Sequence, residues 1–288
     1  MAMYANVSGS LINVVLDPIF IYVLNFGVRG AAIASVLSMA ITMSALLFFF
    51  LSGKTFVKIR LKEFEPSFKV AFDILRVGIP SSFSMLTMSV SMAILNVLIV
   101  RTDVNGLAVF TSAWRVLSFG FIPLFGISAA TTAVVGAAYG GRKFRKLSSA
   151  YFYSIKFAFL VELAIAVAIV LFSEKIALIF TYSENSRMIY PDLVEALKVL
   201  PIFLPFAAFG FMSNSTFQGM GKGERALAIT VLRTLVFQLS FAYLFAFPLS
   251  LGFFGILVGV TLGNVLASFV AFAWVAYTIK KLLKLGEV

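Results

Sequence analysis

Histidine and cysteine are absent from all 288 residues. Those two absences exclude zinc sites built on His or Cys, histidine-ligated haem, disulfides and thiol chemistry together. Charge is scarce as well: Asp, Glu, Lys and Arg make up 12% of the chain, against 61% hydrophobic residues and a mean hydropathy of +1.04. A soluble core of this length could not hide so much apolar surface, so the chain reads as an integral membrane protein, all-α and polytopic. No paired Asp-rich motif, His cluster or Ser/His arrangement points to a membrane enzyme. The net charge is +11, but Lys and Arg stand between hydrophobic stretches rather than on one amphipathic face. They mark topology, so nucleic acid is not expected as a partner and membrane lipids are.

Hydrophobic runs separated by charged or Gly/Pro-rich breaks give eight expected membrane helices: Ala5–Leu24, Gly30–Leu51, Val77–Val100, Gly106–Tyr139, Ser149–Phe172, Leu193–Phe217, Arg225–Phe247 and Gly252–Ile279. The fourth is long enough to bend, with Gly120, Pro123 and Gly126 at the expected bend. The polar lead before the first run carries no Lys or Arg, so a cleavable signal is not expected. Basic residues alternate sides. Lys54, Lys58, Arg60, Lys62, Lys69 and Arg76 follow the second span, Arg142, Lys143, Arg145 and Lys146 follow the fourth, Lys222 and Arg225 follow the sixth, and Lys280, Lys281 and Lys284 end the chain. The opposite connections hold only Arg29, Arg101, Lys175 and Arg187. The positive-inside tendency therefore puts both termini in the cytoplasm of a plasma-membrane protein. The stretch 54–76 is the expected cytoplasmic linker, either a solvated connection or an amphipathic segment at the headgroups. It separates 1–53, with two helices, from 77–288, with six.

Asp17 is the one acid in the first two spans. An ionisable group inside a span costs about 2.5–3.5 kcal/mol on insertion scales and is read by default as functional, though a carboxyl can also simply hydrogen-bond a neighbouring helix. Asn13 lies four residues earlier and shares its helix face. Ser35 enters from the next helix about 8 Å below the outer turn, and Asp17 lies about 11 Å below it at 1.5 Å per residue, so their depths are compatible. A cluster of carboxylate, amide and hydroxyl can coordinate Na+ or let the carboxyl take up H+, and Pro18 frees the Val14 carbonyl as a further oxygen. Proton and cation then compete for one site, as antiport requires.

Shifting the second span by 225 residues brings Gly27 onto Gly252, Gly30 onto Gly255, Ala34 onto Gly259 and Ser38 onto Gly263. Small residues at this spacing are also ordinary membrane packing, but the order of helix, outer turn, Gly-x-x-Gly and small-residue helix recurs with them. The same shift puts Asp17 on Ala242, so a repeated scaffold is expected to keep its shape and lose the acid.

The string Asn13-Val14-Val15-Leu16-Asp17-Pro18-Ile19-Phe20, followed by Gly27-Val28-Arg29-Gly30-Ala31-Ala32-Ile33-Ala34-Ser35, resembles the fifth and sixth helices of multidrug and toxic compound extrusion (MATE) transporters. Val77-Gly78-Ile79-Pro80 and Gln218-Gly219-Met220-Gly221-Lys222 resemble segments of that family's second lobe. The resemblance covers essentially the whole chain. It implies an antiporter of two six-helix lobes that exports amphipathic, often cationic small molecules against H+ or Na+, with Asp17, Asn13 and Ser35 at the cation site and Ser35 in place of a threonine. It also implies that this chain is a partial MATE-like fold lacking about four N-terminal helices and the first-helix acid, those helices coming from upstream sequence or another chain. Ala137 replaces the family's usual glutamine in Val135-Gly136-Ala137.

Other intramembrane groups are candidates too. Glu162, near the middle of the fifth span, is a second protonation candidate; Arg115, Arg233 and Lys156 could each line a cavity, with pairing or snorkelling the favoured reading for Lys156 and Arg233. Arg115, Arg233 and Lys156 in one cavity would favour the alternative function, a lipid-linked oligosaccharide flippase of the related exporter group. A non-transporting fragment is the third reading. Met85, Met88 and Met92 fall on one face of the third span, suited to a cavity of many shapes or to plain packing.

Overall fold

The computed structural model describes residues 2–52 and 67–285. Eight helices are long and apolar enough to cross a membrane, and no strand occurs among the described residues. This is the expected all-α solution, because a bilayer offers backbone N–H and C=O groups no partners and a helix satisfies them within one segment. The helices are α1 (Met3–Val23), α2 (Gly27–Leu51), α3 (Phe68–Thr102), α4 (Gly106–Gly140), α5 (Phe144–Leu171), α6 (Ser186–Gly219), α7 (Gly223–Ala246) and α8 (Gly252–Lys284).

Two compact units divide the chain, Met1–Ser67 and Phe68–Val288. The expected 54–76 linker falls partly outside the described residues, up to residue 66; its last part, from Phe68, is already α3. Hydropathy marks only the hydrocarbon-facing part of a helix, whereas helical hydrogen bonding continues past it. A 35-residue helix is about 52 Å long against an apolar core of about 30 Å, so Lys69, Asp73 and Arg76 ride on the helical extension. The same reason starts α5 at Phe144 rather than Ser149, and α6 at Ser186 rather than Leu193.

The first unit is a hairpin of α1 and α2. The two helices meet through small residues: Ala5, Gly9, Gly30, Ala34 and Ser38 are the buried positions, one to each turn or two of helix. A Cβ added at Gly30 would stand 2.5 Å from the Phe20 carbonyl oxygen. In the second unit, α6 and α8 are the most enclosed helices, with 61% and 56% of their apolar windows buried. The helical segment Phe203–Gly219 of α6 packs on α4, α5 and α8, and α3 lies chiefly against α7. Stacked and tilted rings of Phe110, Trp114, Phe121, Phe203 and Phe211 run between α4 and α6. Some buried hydroxyls in this core find partners, as where Tyr151 and Ser213 meet oxygen to oxygen at 2.8 Å, whereas those of Ser128, Thr216 and Ser268 find none among the described residues.

The repeat expected at an offset of 225 is present in the backbone. The Phe26 N–H donates to the Phe20 carbonyl at 3.1 Å, and the Leu251 N–H to the Phe245 carbonyl at 3.2 Å. Asn25 and Ser250 both have positive φ (54° and 55°), as do Gly27 and Gly252 (53° and 57°). Gly255 repeats the close approach of Gly30, its added Cβ falling 2.6 Å from the Phe245 carbonyl oxygen. Two left-handed residues in a five-residue turn, with a glycine three positions on where the helices cross, explain why the Gly-x-x-Gly pattern recurs.

Candidate functional site

Asn13 and Asp17 project from successive turns of α1, and the Asn13 Nδ2 donates to Asp17 Oδ1 at 3.4 Å. Both are half-buried. Directly after them the helix widens into a π-helical turn, Ile19–Val23, beginning beside Pro18. Pro18 lacks an N–H, so the Val14 carbonyl loses its helical donor and is free to accept elsewhere. A groove of about 770 Å³ runs along the hairpin, with Asn6, Ser10, Asn13, Ser35, Ser38 and Thr42 supplying its polar side. The Ser38 and Thr42 hydroxyls donate to carbonyls of their own helix, at 2.7 and 2.8 Å, whereas the Ser35 hydroxyl has no hydrogen bond among the described residues. Asn13 therefore touches Asp17 and shares the groove with Ser35, while Asp17 is not a lining residue of it.

Glu162 of α5 is wholly buried, and neither carboxyl oxygen has a hydrogen-bond partner. Gly120 of α4 leaves the space it occupies, since a Cβ there would lie 3.3 Å from Glu162 Oε2. The fourth helix continues through Pro123, and Gly120 stands close against both Glu162 and Leu204. Arg115 and Lys156 lie on exposed faces of the second unit and do not line its polar cavity. Arg233 does. The cluster of three cations that would favour a flippase is thus not assembled in that cavity.

A polar cavity of the second unit, about 300 Å³, lies among α3, α4, α6 and α7. Of the methionine stripe, Met85 and Met88 line it and Met92 packs on the core. An amide network borders it that the sequence did not reveal. Gln218 Nε2 donates to Asn214 Oδ1 at 2.6 Å, and Asn214 Nδ2 donates to Thr230 Oγ1 at 3.0 Å and to the Ala226 carbonyl at 2.9 Å. Arg233 Nη1 donates to Asn264 Oδ1 at 3.1 Å, and Asn264 Nδ2 donates to Gln238 Oε1 at 3.2 Å. The available signal was polar residues inside apolar spans, which are costly unless they meet one another.

Eight apolar helices with a polar groove in each unit define a multi-pass membrane protein built on a helix bundle. The profile of the MatE family matches residues 80–244, and the chain belongs to that family. A Thermotoga maritima protein named probable multidrug resistance protein NorM is 26% identical over 241 residues, which are 81% of this chain and 49% of that protein. A solved structure of a multidrug resistance MATE family transporter of the MOP superfamily, in an outward-facing conformation, is 48% identical with a TM-score of 0.94, over 98% of this chain and 63% of that one. A MOP superfamily transporter from Pyrococcus furiosus Vc1, for which reverse polarity of the binding pocket suggests a different function, is 47% identical with a TM-score of 0.95, over 97% and 62%. The chain spans about half the length of the curated relative it matches.

Proposed function

We propose that this chain belongs to a cation-coupled antiporter that exports amphipathic or cationic small molecules across the plasma membrane. The carrying observation is the Asn13–Asp17 hydrogen bond at mid-span, with Ser35 on the adjoining groove. The likeness to multidrug resistance proteins supports the substrate class. Asp17 binds H+ or Na+; Asn13 holds one carboxylate oxygen in place, and Ser35 offers an unengaged hydroxyl oxygen as a further ligand. Glu162 is a second proton acceptor, because an unpartnered buried carboxyl is costly and persists where titration is useful. Both termini are cytoplasmic, as the alternation of basic connections suggests.

The test is a chimera in which the part of the 48%-identical transporter that this chain does not match is fused ahead of Met1. Reconstituted into vesicles, it should export ethidium when a Na+ or H+ gradient is imposed. Asp17→Asn should abolish gradient-driven export and leave the amount of folded protein unchanged. Undiminished coupled export by Asp17→Asn would remove Asp17 from the mechanism.

A further inference from the structure

Arg233 lies in a π-helical stretch of α7, Leu232–Gln238, a helix form that concentrates at functional sites. Its guanidinium is fixed from two sides. Asn264 accepts from Nη1 at 3.1 Å and is itself braced by the Gln238 amide and, at 2.8 Å, by the Val260 carbonyl. The Phe211 ring lies beneath, 5.3 Å from the guanidinium carbon. Both contacts orient the group, and neither neutralises it. No carboxylate pairs with Arg233 among the described residues, and no Asp or Glu lines the cavity it faces. A guanidinium has five N–H donors in a planar fork, and one is engaged here with a side chain.

The surroundings fit what the cation lacks. Ser128 Oγ, a lining atom of the same cavity, is buried with no hydrogen-bond partner. Ser81 and Ser84 stand across it on α3. Met85, Met88 and Phe125 make the rest of the wall apolar and adaptable. An oriented, uncompensated cation, a spare hydroxyl and a soft apolar wall of about 300 Å³ match a small molecule with one anionic end and a hydrocarbon body.

We propose that the cavity of the second unit binds an amphipathic monoanion, a carboxylate or phosphate head on an apolar body, with Arg233 gripping the head. A single cation suits one such head and not a pyrophosphate, which calls for several. The proposal does not depend on Asp17 carrying the coupling ion, because it concerns different residues in a different unit.

The test uses the full 288-residue chain in phosphatidylcholine nanodiscs with radiolabelled octanoate as the probe, read by equilibrium dialysis as the saturable, displaceable fraction. Arg233→Gln should weaken binding about tenfold or more, the loss expected for a charge-assisted hydrogen-bonded contact. Arg233→Lys should retain part of it. Met85→Trp, which fills the cavity and leaves every charge in place, should weaken it as well, and Arg115→Gln should leave it unchanged. Hexyltrimethylammonium, similar in size and opposite in charge, should not compete. Phosphatidylglycerol added to the nanodisc and inorganic phosphate added to the buffer separate the sources: competition by the lipid alone identifies a headgroup, competition by phosphate a free anion, and competition by neither a soluble organic anion. Absence of a saturable component, equal competition by the cation, or unchanged binding in either Arg233→Gln or Met85→Trp would overturn the proposal.

Discussion

The crossing of α7 and α8 at Gly255 can be tested by adding a single methyl group. An alanine Cβ there would lie 2.6 Å from the carbonyl carbon and oxygen of Phe245 and 2.9 Å from the nitrogen of Ala246, against 3.4 Å where ordinary contact begins. The shortfall is about 0.8 Å, and all three atoms are backbone, so no rotamer change relieves it. The helices must part instead, giving up contacts along a seam that includes Gly259 and Gly263, whose added Cβ atoms would meet Ala242 and Gln238 backbone at 2.6 and 2.8 Å. Overpacking of this kind costs about 1–3 kcal/mol, and the better helix propensity of alanine returns roughly 0.5–1 kcal/mol. The net cost is up to about 2.5 kcal/mol, so Gly255→Ala should lower the unfolding midpoint in dodecylmaltoside, followed by circular dichroism, by up to roughly 10 °C at about 2–4 °C per kcal/mol. Gly126→Ala is the control: nothing lies within 4 Å of its added Cβ, and it should hold or raise the midpoint. A Gly255→Ala midpoint at or above that of the parent would refute the close-crossing account of the repeated Gly-x-x-Gly turn.

Further outcomes follow from the same contacts. Glu162→Leu, which removes two unpartnered buried oxygens at similar volume, should raise stability by about 1–3 kcal/mol in chemical denaturation and impair coupled export by the chimera; a lower midpoint would show that the carboxyl is satisfied in the membrane. Single cysteines placed at Arg145 and Asn105, in a chain with none of its own, should react with an impermeant maleimide from opposite sides of the membrane; labelling from one side would break the alternating topology.

What the sequence disclosed was whatever can be read along one helix. Eight apolar runs became eight helices, because length and hydropathy decide membrane spans almost alone. Asn13 and Asp17 were legible as a pair because four residues bring side chains to one face, and they hydrogen-bond. The Gly-x-x-Gly echo was legible because close backbone approach admits few residue types. Helix ends were less so: the extension of α3 down to Phe68 carries charge, and hydropathy stops where charge starts. Contacts between helices were hidden. Nothing in the neighbourhood of Glu162 in sequence indicates that Gly120 makes room for it, and Asn214, Thr230, Arg233 and Asn264 each read singly as one polar residue in an apolar span until α6, α7 and α8 pack.

The repeat also shows how two hairpins of one shape carry opposite charge. At the offset that maps Gly30 onto Gly255, Asn13 falls on Gln238 and Asp17 on Ala242. Both amides are engaged. In α1, Asn13 reaches along its own helix to Asp17. In α7 no acid stands four residues on, and Gln238 instead accepts from Asn264 of α8, which holds Arg233. The amide position orients a charged group in each hairpin, a carboxylate in the first and a guanidinium in the second. The close crossing at this level comes from Gly259, since the backbone of Ala242 lies 2.6 Å from where a Gly259 Cβ would be. The repeated frame thus presents a carboxylate in one unit and a guanidinium in the other, each beside an amide at the same backbone position, and the proposed cation and anion sites rest on that difference.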